Sequence, residues 1–403
     1  MRQHLAVGLG VGLVILVVSV LASVKDSEAL PAWARKYTAE CAMCHYPAIP
    51  RLNSFGQQFR RAGYRAPVEF NQDQDVTKVG EFLAGRLRTQ LAYDNTEGRI
   101  ERSEFRSPEA ALFYAGAFSR HFSGYLHGFA DNSTNVDFHG HLQGVLGNAN
   151  RFVSVRAGQM HMLQQEGFGG FDRPTGITTT PVHSTALTRN GVPVFNFDQR
   201  QKGIELAYVQ GRGRLLAQIT NGLDAAGSGT ASSGDIDPQK DYLLAYEHIL
   251  DEVASGLTAF YYNGTTHGTA TSSALSRRFD FSRLGVNANK ILPVTGLGFV
   301  ELQGGYIRSY DNVPAQVGQD VEGNAWYVES KQYLTGPDLT VLERVSLIDL
   351  DAARRNSVRK DYTVGIVTPV LIWLRVAAEY TYTENRASGL SGHLALLEFQ
   401  GNW

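Results

Sequence analysis

The sequence predicts an all-β fold: a barrel of about sixteen antiparallel strands, preceded by a small α-helical module. Three observations carry this. From about Val79 to Trp403 the chain runs in segments of about ten residues that alternate apolar with polar or small side chains, separated by turn residues. The connections alternate as well, mostly short after even-numbered strands and longer after odd-numbered ones. The composition is rich in Gly (42), Phe (20) and Tyr (18) against 4 Met and 4 Trp, as in closed all-β folds. An even strand count, with short turns on one side and long loops on the other, is the signature of a barrel in a Gram-negative outer membrane, with outer-membrane lipid around it.

The strands are expected at roughly 79–95, 105–118, 122–131, 136–147, 151–163, 200–210, 213–221, 239–250, 254–263, 276–289, 296–311, 323–334, 338–350, 359–369, 372–385 and 391–403. The cleanest alternation puts Leu374, Val376, Ala378, Tyr380 and Tyr382 on one face, and Arg375, Ala377, Glu379, Thr381 and Thr383 on the other. Ile204, Leu206 and Tyr208 likewise oppose Gly203, Glu205 and Ala207, and Phe138, Gly140, Leu142 and Leu146 oppose Asp137, His139, His141 and Gln143. One face suits lipid or a core and the other suits water. The turn Gly211-Arg212 is short, whereas Gln164–Gln199 and the Gly/Ser-rich Asp224–Asp237 are long. The third outer loop is the longest, as in general porins, where such a loop folds into the lumen. The chain ends on a strand with an aromatic residue, Trp403, another outer-membrane habit. No repeat of propeller-blade length is visible, and a soluble sandwich of this size would normally split into domains.

Ahead of the barrel, residues 1–29 read as a signal peptide. Arg2 and His4 precede an apolar run from Leu5 to Val24, and Ser27-Glu28-Ala29 offers a small-x-small cleavage site. An uncleaved anchor is the other reading, and both export the rest of the chain. The formal net charge of −2 gives no electrostatic case for nucleic acid.

The two cysteines of the chain lie in Cys41-Ala42-Met43-Cys44-His45, a C-x-x-C-H motif. Two thiols three positions apart can each form a thioether to one porphyrin, with the next His carried under the iron as proximal ligand. A thioredoxin-like motif would need a βαβ context, and a structural zinc site would need a second ligand pair. The expectation is therefore one covalent c-type haem on Cys41, Cys44 and His45, within a cytochrome c module at residues 30–75 followed by the barrel at 76–403. Downstream, residues 51–63 read as a short helix with the stripe Leu52, Phe55 and Phe59, basic Arg60 and Arg61 in its last turn, and Gly63 as C-cap. A module this short cannot bury a haem alone, so the barrel is expected to help cover it.

Candidates for a sixth iron ligand are Met160 and Met162, which share a face with Ser154 and Arg156, and His139 and His141 on the preceding strand. A polar channel lining explains the same residues without ligation. Glu97, Glu101 and Glu104 alternate with Arg99, Arg102 and Arg106, which reads as a solvated mixed-charge loop rather than a cation site.

With motif and barrel together, the chain resembles the fused outer-membrane cytochrome–porins of iron-oxidising bacteria. The matching text is Pro31 to Tyr37 (PAWARKY), Cys41 to Pro47 (CAMCHYP), Ile49 to Gly56 (IPRLNSFG) and Phe59. Over the barrel the resemblance is one of length and architecture. It implies an electron conduit that takes electrons from extracellular Fe(II), an iron oxidase in that sense, and passes them through a lumenal haem to a periplasmic cytochrome. The rival readings are a redox-gated or haem-plugged porin for solutes, and a haem enzyme such as a peroxidase with an open iron site.

Overall fold

In the barrel region each strand presents alternate residues to opposite sides, so one side can be wholly apolar and the other polar only if the sheet separates lipid from lumen. A computed structural model shows that separation. It describes residues 32–46, 51–130, 136–161, 163, 175–184, 188–189, 192–193, 200–222, 239–267, 278–312, 320–353, 357–371, 373–386 and 389–403. The expected signal peptide, Met162, and most of the two long loops lie outside the described residues.

The strands are β1 (Leu83–Thr96), β2 (Arg102–Ala117), β3 (Phe122–Ala130), β4 (Val136–Asn148), β5 (Arg151–Met160), β6 (Gln201–Gln210), β7 (Gly213–Thr220) and β8 (Asp241–Ile249). They continue as β9 (Gly256–His267), β10 (Arg278–Val294), β11 (Gly298–Asn312), β12 (Asp320–Leu334), β13 (Leu339–Asp349), β14 (Val358–Leu371), β15 (Leu374–Asn385) and β16 (Leu390–Asn402). All sixteen form one closed antiparallel barrel. Closure is made by β1 on β16, from Arg86 opposite Asn402 to Thr96 opposite Gly392, and it removes the sheet edges that a bilayer would not tolerate.

The boundaries shift where pairing outlasts alternation. β10 runs to Val294 rather than 289 because Ile291, Leu292 and Pro293 still pair with β11, although their apolar run breaks the two-residue period. Residues Val79–Glu81 form a 3-10 turn instead of the start of β1. The two-residue connections, 149–150, 211–212 and 372–373, all lie on the side where β1 begins and β16 ends, which the alternation of loop length marks as periplasmic.

The outer face is apolar: Leu142 is 63% exposed, Ile204 56% and Leu284 57%. Tyr362, Tyr380 and Tyr382 cluster outward with His393 towards the loop end of β14 to β16, the level at which aromatic girdles sit. The inner face carries buried charge. Arg156 and Arg214 hold Glu205, Arg214 also holds Glu247 at 3.0 Å, Lys331 and Arg344 flank Glu329 at 3.0 and 3.2 Å, and Arg88 and Arg375 flank Glu398 at 3.8 and 3.4 Å. Each charge in this belt has an opposite neighbour, which is the condition for burying it at tolerable cost.

Among the described residues, two segments enter the lumen. From the outer side, part of the third loop reaches the far wall. Glu379 on β15 accepts the Ile177 amide at 2.8 Å and the Thr178 amide at 3.2 Å, and Arg344 donates to the Thr178 carbonyl at 3.1 Å. Ile177 packs with Ala92, Val367, Ala377 and Leu396. The sequence expectation for that loop holds for these residues. From the periplasmic side, the N-terminal module fills the mouth.

Candidate functional site

The module consists of α1 (Ala32–Tyr37), a 3-10 turn at Cys41–Met43, and α2 (Ser54–Arg61). The expected helix at 51–63 starts later than its apolar stripe does, because Asn53 takes the N-cap: its side chain accepts the Gly56 amide at 3.0 Å. The C-cap is Ala62 rather than Gly63, and Gly63 follows it with φ +70°, the left-handed residue that ends such a helix.

The motif is wound into one turn. The Cys44 and His45 amides both donate to the Cys41 carbonyl, at 3.1 and 2.9 Å, which sets the two thiols one turn apart. Asn53 also ties this turn to α2, donating through Nδ2 to the Ala42 and Met43 carbonyls at 3.0 Å each. The helix approaches so closely that a Cβ on Gly56 would lie 2.3 Å from the Cys44 carbonyl oxygen. The sequence offered no signal for Asn53 beyond its residue type at a helix start.

Both thiols are partly buried, as is His45. Burial pushes the Cys44 thiol up to about 11, and Cys41 moves the same way. A redox-active C-x-x-C needs the opposite, a depressed thiol that ionises near neutrality. Next to the turn, Trp33, Tyr37, Phe55 and Phe59 form an aromatic wall with Tyr64 and Tyr125. Trp33 stacks on Tyr64 with centroids 5.1 Å apart, and Tyr64 stacks on Tyr125 of β3 at 6.1 Å. Two thiols and an imidazole on one turn beside aromatic surface fit a covalently held porphyrin.

Four sets of contacts fix the module in the periplasmic mouth. Arg51 donates to Glu301 of β11 at 2.7 and 3.2 Å, with both side chains almost fully buried. Arg61 reaches Glu247 of β8 at 3.3 Å and the Arg212 carbonyl at 3.0 Å. Tyr46 stacks on Tyr333 of β12 at 5.4 Å and hydrogen-bonds to the Val253 carbonyl. On the opposite wall the Trp33 indole donates to the Ala115 carbonyl of β2 at 3.1 Å. The module thus spans the mouth from β2 to β12. The sequence placed Arg51 at the start of the expected helix and Arg61 in its last turn, and gave no sign of their partners, which lie 250 and 186 residues away.

The four sixth-ligand candidates separate. His139, His141 and Met160 do face the lumen, as alternation predicted, and each is nearly inaccessible to solvent. His141 stacks on Tyr125 at 5.7 Å. His139 is engaged on both ring nitrogens, by Arg200 and by His127 at 3.1 Å. Met162 lies outside the described residues. His127 was missed, although the alternation of β3 puts it on the same inner face as Tyr125. Among the described residues no group of three or more His, Cys, Asp or Glu is arranged to hold a metal ion. Of the expected mixed-charge loop, Glu97 accepts the Ser391 amide at 2.8 Å, whereas Arg102, Glu104 and Arg106 lie on β2, where Glu104 pairs with Arg106 at 3.4 Å in an exposed pair.

Neither the family models nor the curated proteins include a match to this chain. Solved structures do match. Pseudomonas putida OprB, in its high-pH structure, aligns with TM-score 0.57 and 10% identity over 80% of this chain and 94% of its own. An anion-selective porin from Comamonas acidovorans gives 0.57 and 14% over 80% and 98%. In-vitro folded OmpT of Vibrio cholerae, an outer-membrane protein in its trimer form, gives 0.52 and 12% over 80% and 98%. The identities are low, so the likeness is one of fold. It is the fold of an outer-membrane porin, and it places the barrel in the outer membrane of a Gram-negative envelope.

Proposed function

We propose that this chain is an outer-membrane electron conduit, in which Cys41 and Cys44 bind a c-type haem covalently and His45 is its proximal ligand. Its use is to conduct electrons from an extracellular donor, Fe(II) by the family resemblance, to a periplasmic cytochrome. The observation that carries this reading is the C-x-x-C-H turn held across the periplasmic mouth, where one cofactor could be approached from both sides of the membrane. When bound, the haem supplies one-electron chemistry at iron, tuned by ligation and burial. The chain does the rest. Asn53 and Gly56 hold the motif turn against α2, Arg51 and Arg61 seat the module on the wall, and the aromatic wall around Phe59 excludes water. Tyr37, next to the motif, keeps its proton because burial and the Glu69 carboxylate both raise its pKa.

The porin likeness favours a second reading, in which the barrel passes small solutes and the module serves as plug or redox gate. An anaerobic spectrum separates the two. Outer membranes from cells with haem-maturation machinery should develop ferrous c-type bands rapidly on mixing with Fe(II). Bound haem that Fe(II) does not reduce would favour the solute channel, and a membrane fraction without covalent haem would overturn the cofactor assignment.

A further inference from the structure

On the outer wall, at the loop end of β8 to β11, the apolar face gives way to a cleft of about 540 Å³. That volume is in the range of small-ligand sites, about 300–1,000 Å³. One cross-strand row runs through it. Tyr242 on β8 is opposite Asn263 on β9, Asn263 is opposite Ser282 on β10, and Ser282 is opposite Tyr310 on β11. Neighbouring strands lie about 4.8 Å apart, so the two tyrosines bracket a gap of roughly 14 Å floored by two short polar side chains. Tyr261, two residues nearer the membrane midplane than Asn263, has Leu244 and Leu284 as its cross-strand partners. Tyr242, Tyr261 and Tyr310 are exposed, whereas Tyr262 and Phe281, at the alternate positions, are buried on the lumenal side. The cleft therefore opens to lipid and not to the channel. On its loopward lip the Thr265 hydroxyl donates to Asp280 at 3.0 Å, and Lys240 donates to the Gln239 carbonyl at 3.1 Å.

An aromatic girdle does not require these polar groups. The outward cluster on β14 to β16 is made of rings, Tyr362, Tyr380, Tyr382 and His393. In the cleft, the rings surround an amide, a hydroxyl, a carboxylate and an ammonium on the lipid side of the wall, where water is scarce and polar groups need partners. A zwitterionic phospholipid headgroup would pair with Lys240 and Asp280 but gives the tyrosine faces nothing to stack on. A sugar ring meets all of them. Its hydroxyls donate to the Asp280 carboxylate and the Asn263 amide oxygen, its oxygens accept from Lys240, and its C–H faces lie on tyrosine rings. The outer leaflet of a Gram-negative outer membrane presents such rings at this height, as the headgroups of its glycolipid.

We propose that this cleft binds the sugar headgroup of one outer-leaflet glycolipid, held by Asn263, Asp280 and Lys240 against the Tyr261 ring. The site does not depend on haem or on electron transfer, so it stands or falls separately from the function proposed above. Native mass spectrometry of the full detergent-solubilised chain tests it, by titration with purified deep-rough lipopolysaccharide and, in parallel, with phosphatidylethanolamine. One saturable glycolipid is expected, bound at least tenfold more tightly than the phospholipid and not displaced by excess free glucosamine. Tyr261→Leu and Asn263→Leu should each weaken it at least tenfold, while Tyr380→Leu in the other outward tyrosine cluster leaves it unchanged. Both site variants put an apolar side chain on the lipid face, which a barrel tolerates, so lost binding is not lost folding. Absence of saturable glycolipid binding would overturn the proposal, as would equal affinity for phosphatidylethanolamine or unchanged affinity in both site variants. Displacement by glucosamine would assign the cleft to soluble sugars instead, and an equal loss in Tyr380→Leu would reduce it to the general girdle; either result also overturns it.

Discussion

Replacing Arg51 with methionine should release the module from the mouth without opening the barrel. Arg51 meets Glu301 at 2.7 and 3.2 Å, and neither side chain is more than 2% exposed. Removing one partner of such a pair costs about 3–5 kcal/mol, because the other charge stays buried. Here Glu301 keeps Asn289 at 2.7 Å, Tyr333 at 2.9 Å and Lys331 at 3.4 Å, which argues for the lower end, about 3 kcal/mol. At about 1.4 kcal/mol per factor of ten, the population with the module locally detached rises about a hundredfold. Glu301→Gln should cost more, since it removes the carboxylate that faces two buried cations, Arg51 and Lys331, at once. The assay is hydrogen exchange read by mass spectrometry. The Tyr46 and Asn53 amides, bonded to the Arg51 and Cys44 carbonyls at 3.0 and 2.9 Å, should exchange about a hundredfold faster. Amides along β11 should keep their rates. Unchanged protection of residues 41–53 in both variants would refute the reasoning and leave aromatic packing around Tyr46 as the attachment.

In the chain without haem, Cys44 should alkylate slowly at pH 8, where a thiol at about 11 is about one part in a thousand ionised; iodoacetamide trapping should accelerate roughly tenfold per pH unit up to that value. The sign follows from burial, which favours the neutral thiol. Asn53→Ala removes the α2 cap and both side-chain bonds to the motif turn. It should lower the stability of the module by roughly 1–2 kcal/mol, seen as faster limited proteolysis between α1 and α2. Leu142→Arg, halfway along β4 on the outer face, should cost about 2–4 kcal/mol in denaturant titration of vesicle-inserted protein. A neutral result there would contradict the assignment of that face to lipid.

Period-two alternation is local, and the sequence alone therefore determined the barrel, its strand count, and the side of the wall on which His139, His141 and Met160 stand. Loop lengths oriented it. The spacing within Cys41–His45 is equally local, and the structure keeps it as a single turn. What the tertiary structure decided depends on partners far apart in the chain. Arg51 finds Glu301, and Arg61 finds Glu247, only when the barrel has closed around the module. The β3–β4 hairpin register sets His127 beside His139, and the β5–β6 pairing brings Gln201, across a long loop, opposite Met160. No local pattern specifies which buried charges will be matched or which donors will be left facing the lumen. Those are properties of strand register and wall curvature.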